Sequence, residues 1–140
     1  GAQCLVDHGS RAATDITGFG LLGHLVEMVR ASEVDVELKL DDVPLMDGAE
    51  DTARAGILSS LQPQNVRLRR AVTNLEEAGK DPRYPLIFDP QTAGGLLASV
   101  PADRADACVV KLKELGYGST MIVGTVLEKS DRLEPITVKI

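Results

Sequence analysis

Between Ala13 and His24 the chain reads ATDITGFGLLGH. One carboxylate, Asp15, two hydroxyls, Thr14 and Thr17, and the glycines Gly18 and Gly20 stand in front of an apolar pattern of helical spacing. A helix starting near Gly20 or Leu21 has first amides without intrahelical partners, at the positive end of its macrodipole. Gly18 and Gly20 allow close backbone approach. Such a mouth suits an anion, phosphate above all. Asp15 would repel a phosphate, and a divalent cation resolves the conflict. Mg2+ takes one or two carboxylates and completes its shell with water and phosphate oxygens. The same residues also read as plain helix capping, because Asp and Thr are ordinary N-caps and glycines are ordinary in turns. Neither GxGxxG after a strand nor GxxxxGKS is present.

A second stretch, DPQTAGG from Asp89 to Gly95, repeats the theme. Pro90 stiffens a turn, Gln91 and Thr92 offer hydrogen-bonding groups, and Gly94 and Gly95 permit close approach. No helical pattern follows, so capping does not account for it. A tight polar hairpin is the alternative.

The other reactive residues point to less. His8 and His24 have no carboxylate at ligand spacing and make no zinc motif. His24, in the first turns of a helix, reads as a packed or capping side chain. Cys4 and Cys108 lie far apart and form neither CxxC nor a disulfide framework. Cys108 falls on an apolar helical stripe and reads as inert core. Arg67, Arg69 and Arg70 read as a solvated or inter-domain face.

The elements that must position these residues follow from periodicity. Cys4–Ser10 reads as the last turns of a helix stopped by Gly9. Leu21 to about Ser32 is an amphipathic helix, with Leu21, Leu22, Leu25, Val26 and Val29 on one side. VDVELKL, Val34–Leu40, alternates as a half-buried strand with Asp35, Glu37 and Lys39 outward. One helix is expected across Gly48–Ala55. Leu86–Phe88 and Leu96–Val100 read as two strands, possible arms of a hairpin. Pro101–Leu115 is a helix with Ala105, Cys108, Val109, Leu112 and Leu115 inward and Gly116 as its stop. Thr120–Leu127 is β-rich, and Ile136–Ile140 is expected as an edge strand. Strands and helices mix without βαβ order, which predicts an α+β fold: a mixed β-sheet covered by helices.

Composition narrows the class. The 140 residues suit one domain, 44% hydrophobic and 26% charged, with aromatics at only 3%. A core of Leu, Val, Ile and Ala is therefore expected. The net charge of −6 argues against general binding to nucleic acid or to anionic membrane. No apolar run reaches the roughly 18 residues of a spanning helix. The cysteines are expected to be reduced and the protein cytoplasmic. The chain opens on GAQCLVDHGS without a Met, and we expect it to be a piece of a longer protein.

AATDITGFGLLGHL and PLIFDPQTAGGLLASVP, with the GYGSTMIVGTV ending, resemble the C-terminal domain of the selenophosphate synthetase (selenide, water dikinase) family. That family lies within the wider aminoimidazole ribonucleotide synthetase type. The resemblance covers nearly the whole chain. It implies an ATP-dependent enzyme making selenophosphate from selenide, with AMP and orthophosphate as the other products. It implies two domains per subunit, a homodimer built mainly through the N-terminal domains, and ATP with several magnesium ions where the domains meet. Asp15 matches a metal ligand of the family. Thr17, Gly18 and Gly20 match the loop beside it, and Asp89, Gln91, Thr92, Gly94 and Gly95 match a second loop facing the same cleft. The family's N-terminal domain, with its nucleophilic Cys or selenocysteine, Lys and further Asp ligands, has no counterpart in these residues. This chain alone is therefore expected to be inactive and largely monomeric. The alternatives are another ATP-using relative, of hydrogenase maturation or purine synthesis, and a non-catalytic binding module.

Overall fold

The apolar stripe that begins at Leu21 forms helix α2 (Gly20–Ser32) in the computed structural model, which describes residues 1–140. Leu22, Leu25, Val26 and Val29 are buried along one side of it. The helix ends at Glu33, in the left-handed region at φ 52°. The chain then enters β2 (Asp35–Lys39), the middle strand of a three-stranded sheet ordered β4-β2-β5. β4 (Gly124–Leu127) runs antiparallel to β2, and β5 (Ile136–Lys139) runs parallel to it. The register sets Val36 beside Ile136 and Leu38 beside Val138. These four side chains meet α2, Ala71, Val72, Ile87 and Phe88 in a core of 15 buried residues. The fold is α+β, with the expected mixed sheet.

Asp35 departs from the alternation. It is only 2% exposed, although its sequence position puts it on the outward face. The loop after β4 folds over it. Ser130 donates its hydroxyl to the carboxylate at 2.6 Å, and Arg132 Nη2 lies at 3.4 Å. Chiefly through that hydroxyl bond, the carboxyl is held below the usual Asp range.

Two further expectations need correction. Leu86–Phe88 is not a strand, since Tyr84–Phe88 is a 3-10 turn with Pro85 at its start. Proline has no N–H for a ladder and its φ suits a helical first turn. Leu96–Ser99 is a strand, β3, but it forms no hairpin with the residues before it. It pairs antiparallel with β1 (Ala12–Asp15) in a separate two-stranded sheet.

The middle of the chain is made of short pieces. α3 (Ala49–Arg54) lies where a helix was expected. α4 (Gln62–Val66) continues as a 3-10 segment through Ala71, and α5 (Leu75–Ala78) follows. Arg67, Arg69 and Arg70 are exposed. Asn74 ties this region to β5, donating to the Val138 carbonyl at 2.7 Å and accepting the Val138 N–H at 3.0 Å. Asp81 accepts two hydrogen bonds from the Arg83 guanidinium, which hold its carboxyl below the usual range.

The two remaining helices form a thin second layer. α1 (Ala2–Asp7) ends before Gly9, whose φ of +85° makes the turn. α6 (Ala102–Glu114) packs on α1. Their shared interior is four buried residues, Cys4, Leu5, Cys108 and Leu112, with Ala98 and Val100 against them. Leu115, expected on the inner stripe, lies just past the helix end and is 53% exposed. No helix is long and apolar enough to cross a membrane.

Candidate functional site: a seam of two glycine loops

The β1–β3 pairing carries the two motifs to one place. Its register ends with Asp15 opposite Leu96, and the contact continues beyond the strands. The Ile16 N–H donates to the Gly95 carbonyl at 2.9 Å. The Gly94 N–H donates to the Ile16 carbonyl at 3.0 Å, and the Gln91 N–H to the Thr17 carbonyl at 3.0 Å. The loops TDITGFG and DPQTAGG are thus stitched together along their backbones.

Two buried side chains fix the seam from below. Asn65 on α4 donates from one amide nitrogen to the Gly18 carbonyl at 2.9 Å and the Phe88 carbonyl at 3.0 Å, joining the two loops. His24, on the second turn of α2, accepts the Thr17 N–H on Nε2 at 3.0 Å. That bond puts the ring proton on Nδ1, which lies 3.6 Å from the Glu27 carboxylate. His24 is therefore packed, and it holds the loop before α2 without capping the helix. Asn65 was not singled out in the sequence, because an isolated Asn between Pro63 and a basic run has no pattern that marks it.

Capping does not explain the polar residues before α2. The N-cap position is Phe19, no side chain caps this helix, and Asp15 closes strand β1 instead. The Asp15 carboxylate is exposed and takes no hydrogen bond or ion pair. The Thr17 hydroxyl faces His24 Nε2 at 3.2 Å, so Thr17 is turned toward the seam's support. Asp89 and Gln91 are linked within their own loop, Gln91 Nε2 lying 3.3 Å from the Asp89 carboxylate. Thr92 is exposed at the loop tip.

The four motif glycines divide into two kinds. Gly20 has φ +68°, and a Cβ there would lie 2.8 Å from the Phe88 carbonyl carbon. A Cβ on Gly94 would collide with the Ile16 carbonyl oxygen. The fold itself demands these two. Gly18 and Gly95 have no positive φ, and a Cβ on either would meet nothing within 4 Å. Neither backbone strain nor packing within this chain requires glycine at those two positions.

The surface above the seam is shallow and open. Thr92–Leu96 and Gly18–Phe19 are exposed, and Phe19, 52% exposed, leans on His24 at a centroid distance of 5.5 Å. One unpartnered carboxylate can offer oxygen to a hard cation, and glycines with open space beside them allow a ligand to approach the backbone.

The family model of the AIR synthase related protein, C-terminal domain, matches residues 2–134, and the chain belongs to that family. Its similarity to individual proteins is narrower. It is 37% identical over 131 residues to "Selenide, water dikinase 2" of Peptoclostridium acidaminophilum, covering 94% of this chain and 38% of the relative. It is 39% identical over 125 residues to "Selenide, water dikinase" of Clostridioides difficile (strain 630), covering 86% and 35%. To "Selenide, water dikinase" of Rhizobium meliloti (strain 1021) it is 35% identical over 137 residues, covering 98% and 39%. The chain spans less than two fifths of the length of these relatives.

Proposed function

We propose that this chain is the C-terminal domain of a two-domain, cytoplasmic selenide, water dikinase, and that its loop seam is one wall of that enzyme's ATP site. The whole enzyme would convert ATP, selenide and water to selenophosphate, AMP and orthophosphate. An N-terminal domain would supply the opposite wall, the nucleophile and the homodimer contact. The observation that carries the reading is the division of the glycines. Gly18 and Gly95 have room for a side chain inside this chain, and they stand in the two stitched loops that run on from Asp15 and Leu96. Glycines kept at open positions suit the close approach of something from outside, such as a nucleotide phosphate.

The residues fit the Mg2+ and ATP that the family implies. Asp15 would be the metal ligand, and Gly18, Gly95 and Thr92 would border the phosphates. Bound Mg2+ would supply neutralisation of phosphate charge. The chain's own part is positional. Asn65 and His24 hold both loops in fixed register, so Asp15 is presented without reorganisation. A single carboxylate cannot neutralise a triphosphate with several cations, so this domain alone would bind Mg-ATP weakly and turn nothing over.

The test is Asp15→Asn in the full-length enzyme. We expect loss of most selenide-dependent AMP formation and a raised magnesium requirement, with an unchanged melting temperature, because the side chain is exposed and unpartnered. Normal turnover at normal magnesium would overturn the assignment of Asp15. AMP formation by the 140-residue chain alone would overturn the two-wall reading.

A further inference from the structure

Cys4, His8 and Cys108 stand apart from the seam. Cys4 and His8 lie four residues apart, on the same side of α1, and Cys108 reaches them from α6. The residues that read in the sequence as unrelated form one group: their Sγ and ring nitrogen atoms all lie within 4.8 Å of one another. Both thiols are buried and free, and the imidazole is half-buried. Cys4 and His8 line a surface groove of about 710 Å³ between the helices, together with Asp7 and Glu114, while Cys108 lies behind its wall.

We infer that Cys4, His8 and Cys108 form a binding site for a thiophilic divalent cation of the zinc class, with two thiolates, one imidazole and a fourth position open to the groove. The geometry suits this. With metal–sulfur bonds of about 2.3 Å and metal–nitrogen bonds of about 2.0 Å, ligand atoms on a tetrahedral ion lie about 3.5–3.8 Å apart. Cys4 Sγ and His8 Nδ1 are 3.7 Å apart. The remaining separations close with movements of about an ångström, and the interior holding these helices together is only four residues deep. Thiolate and imidazole select zinc-like ions over Mg2+, so this site would not compete for the ion proposed at Asp15.

The proton balance is simple. The cation replaces two thiol protons, which pass to solvent, and no electron moves. His8 Nδ1 now lies 2.7 Å from the Cys4 carbonyl. Ligation through Nδ1 moves the ring proton to Nε2 and gives up that bond. The Cys4 carbonyl keeps the His8 backbone N–H at 3.1 Å, so no acceptor is orphaned.

The test uses the reduced, chelator-stripped 140-residue chain titrated with Co2+. We expect one Co2+ per chain, a thiolate-to-cobalt charge-transfer band, and visible bands of tetrahedral intensity that disappear when Zn2+ is added. Zn2+ should also raise the melting temperature by mass action, and Mg2+ should not reproduce the effect. Cys108→Ser and His8→Gln should each weaken Co2+ binding by about tenfold or more. If Cys108→Ser does not fold, His8→Gln, at a half-exposed position, decides alone. Absence of the charge-transfer band in fully reduced protein overturns the site, as does an unchanged spectrum in His8→Gln.

Discussion

The loop seam and the α1–α6 layer solve the problem of placing reactive groups in opposite ways. The seam is polar and open, yet it stands on α2 and the 15-residue core, with Asn65 and His24 bonded to its backbone. The α1–α6 layer holds its two thiols inside a cluster of four buried residues, with the half-buried His8 beside it. Depth of packing lets the first site keep a fixed backbone geometry beneath exposed side chains. Shallow packing leaves the second free to shift by the small distances that ligation needs. On the two proposals above, the deeply packed elements would serve a site that meets a large ligand, and the thinly packed ones a site that a single ion closes.

The largest expected effects test that contrast in depth directly. Leu38→Ala, in the 15-residue core, should cost about 3–4 kcal/mol, and Leu112→Ala, in the four-residue cluster, about 2 kcal/mol, the lower end for such truncations. Urea unfolding of both variants measures this. Equal losses would mean that the two layers are one cooperative core.

The next effect separates the two kinds of glycine within the seam. Gly94→Ala forces the loops apart at the Ile16 carbonyl and should cost about 2–3 kcal/mol, a typical range for overpacking against fixed backbone. Gly18→Ala should stay within about 0.5 kcal/mol, as for surface changes that touch nothing. In the full-length enzyme the same Gly18→Ala change should nonetheless raise the KM for ATP. A Gly18→Ala chain as unstable as Gly94→Ala would show that Gly18 is kept for the fold.

The smallest expected effect is on acid stability. Asp35 and Asp81 have folded pKa values depressed by Ser130 and by Arg83 respectively. A depressed carboxylate contributes stability that is complete above its unfolded value, about 3.9, and is lost as pH falls through the folded value. The chain should therefore lose stability below about pH 4. Asp35→Asn should flatten that part of the curve and leave the slope above pH 6 unchanged. An identical acid limb in the variant would remove Asp35 from the account.

Much of the scaffold was legible because it follows simple periods. The stripe from Leu21 to Val29 and the alternation from Val34 to Leu40 each identify an element from its own residues. The errors arise where the partner is distant. Leu86–Phe88 is as apolar as a strand, and only Pro85 hints at the 3-10 turn. Leu96–Ser99 is a strand by composition, but nothing local says that its partner is Ala12–Asp15. Asp35 obeys the alternation and is buried all the same, because a loop some ninety residues later, by the register of Ser130 on it, covers it. The residue types of the loop seam were visible in its two motifs. Its supports, Asn65 and the Thr17–His24 bond, depend on tertiary approach. The Cys4–His8–Cys108 group was invisible for the same reason: its spacing in sequence matches no motif, and two helices bring it together.

The pairing of β1 with β3 also orders events in time. It closes a loop that contains α2, β2 and all the short helices of the middle region. A ribosome releases the TDITGFG segment long before DPQTAGG, and until Gln91–Gly95 have emerged the bonds that Ile16 and Thr17 make to that loop cannot form. Pairings of such long range are among the last to form, because the closure entropy must be met by contacts already made. The seam is therefore a product of completed folding, and no early intermediate can carry its binding surface. In hydrogen exchange, the amides of Ile16, Gln91 and Gly94 should be released together and only when the 15-residue core opens, although they lie at the exposed edge of the molecule.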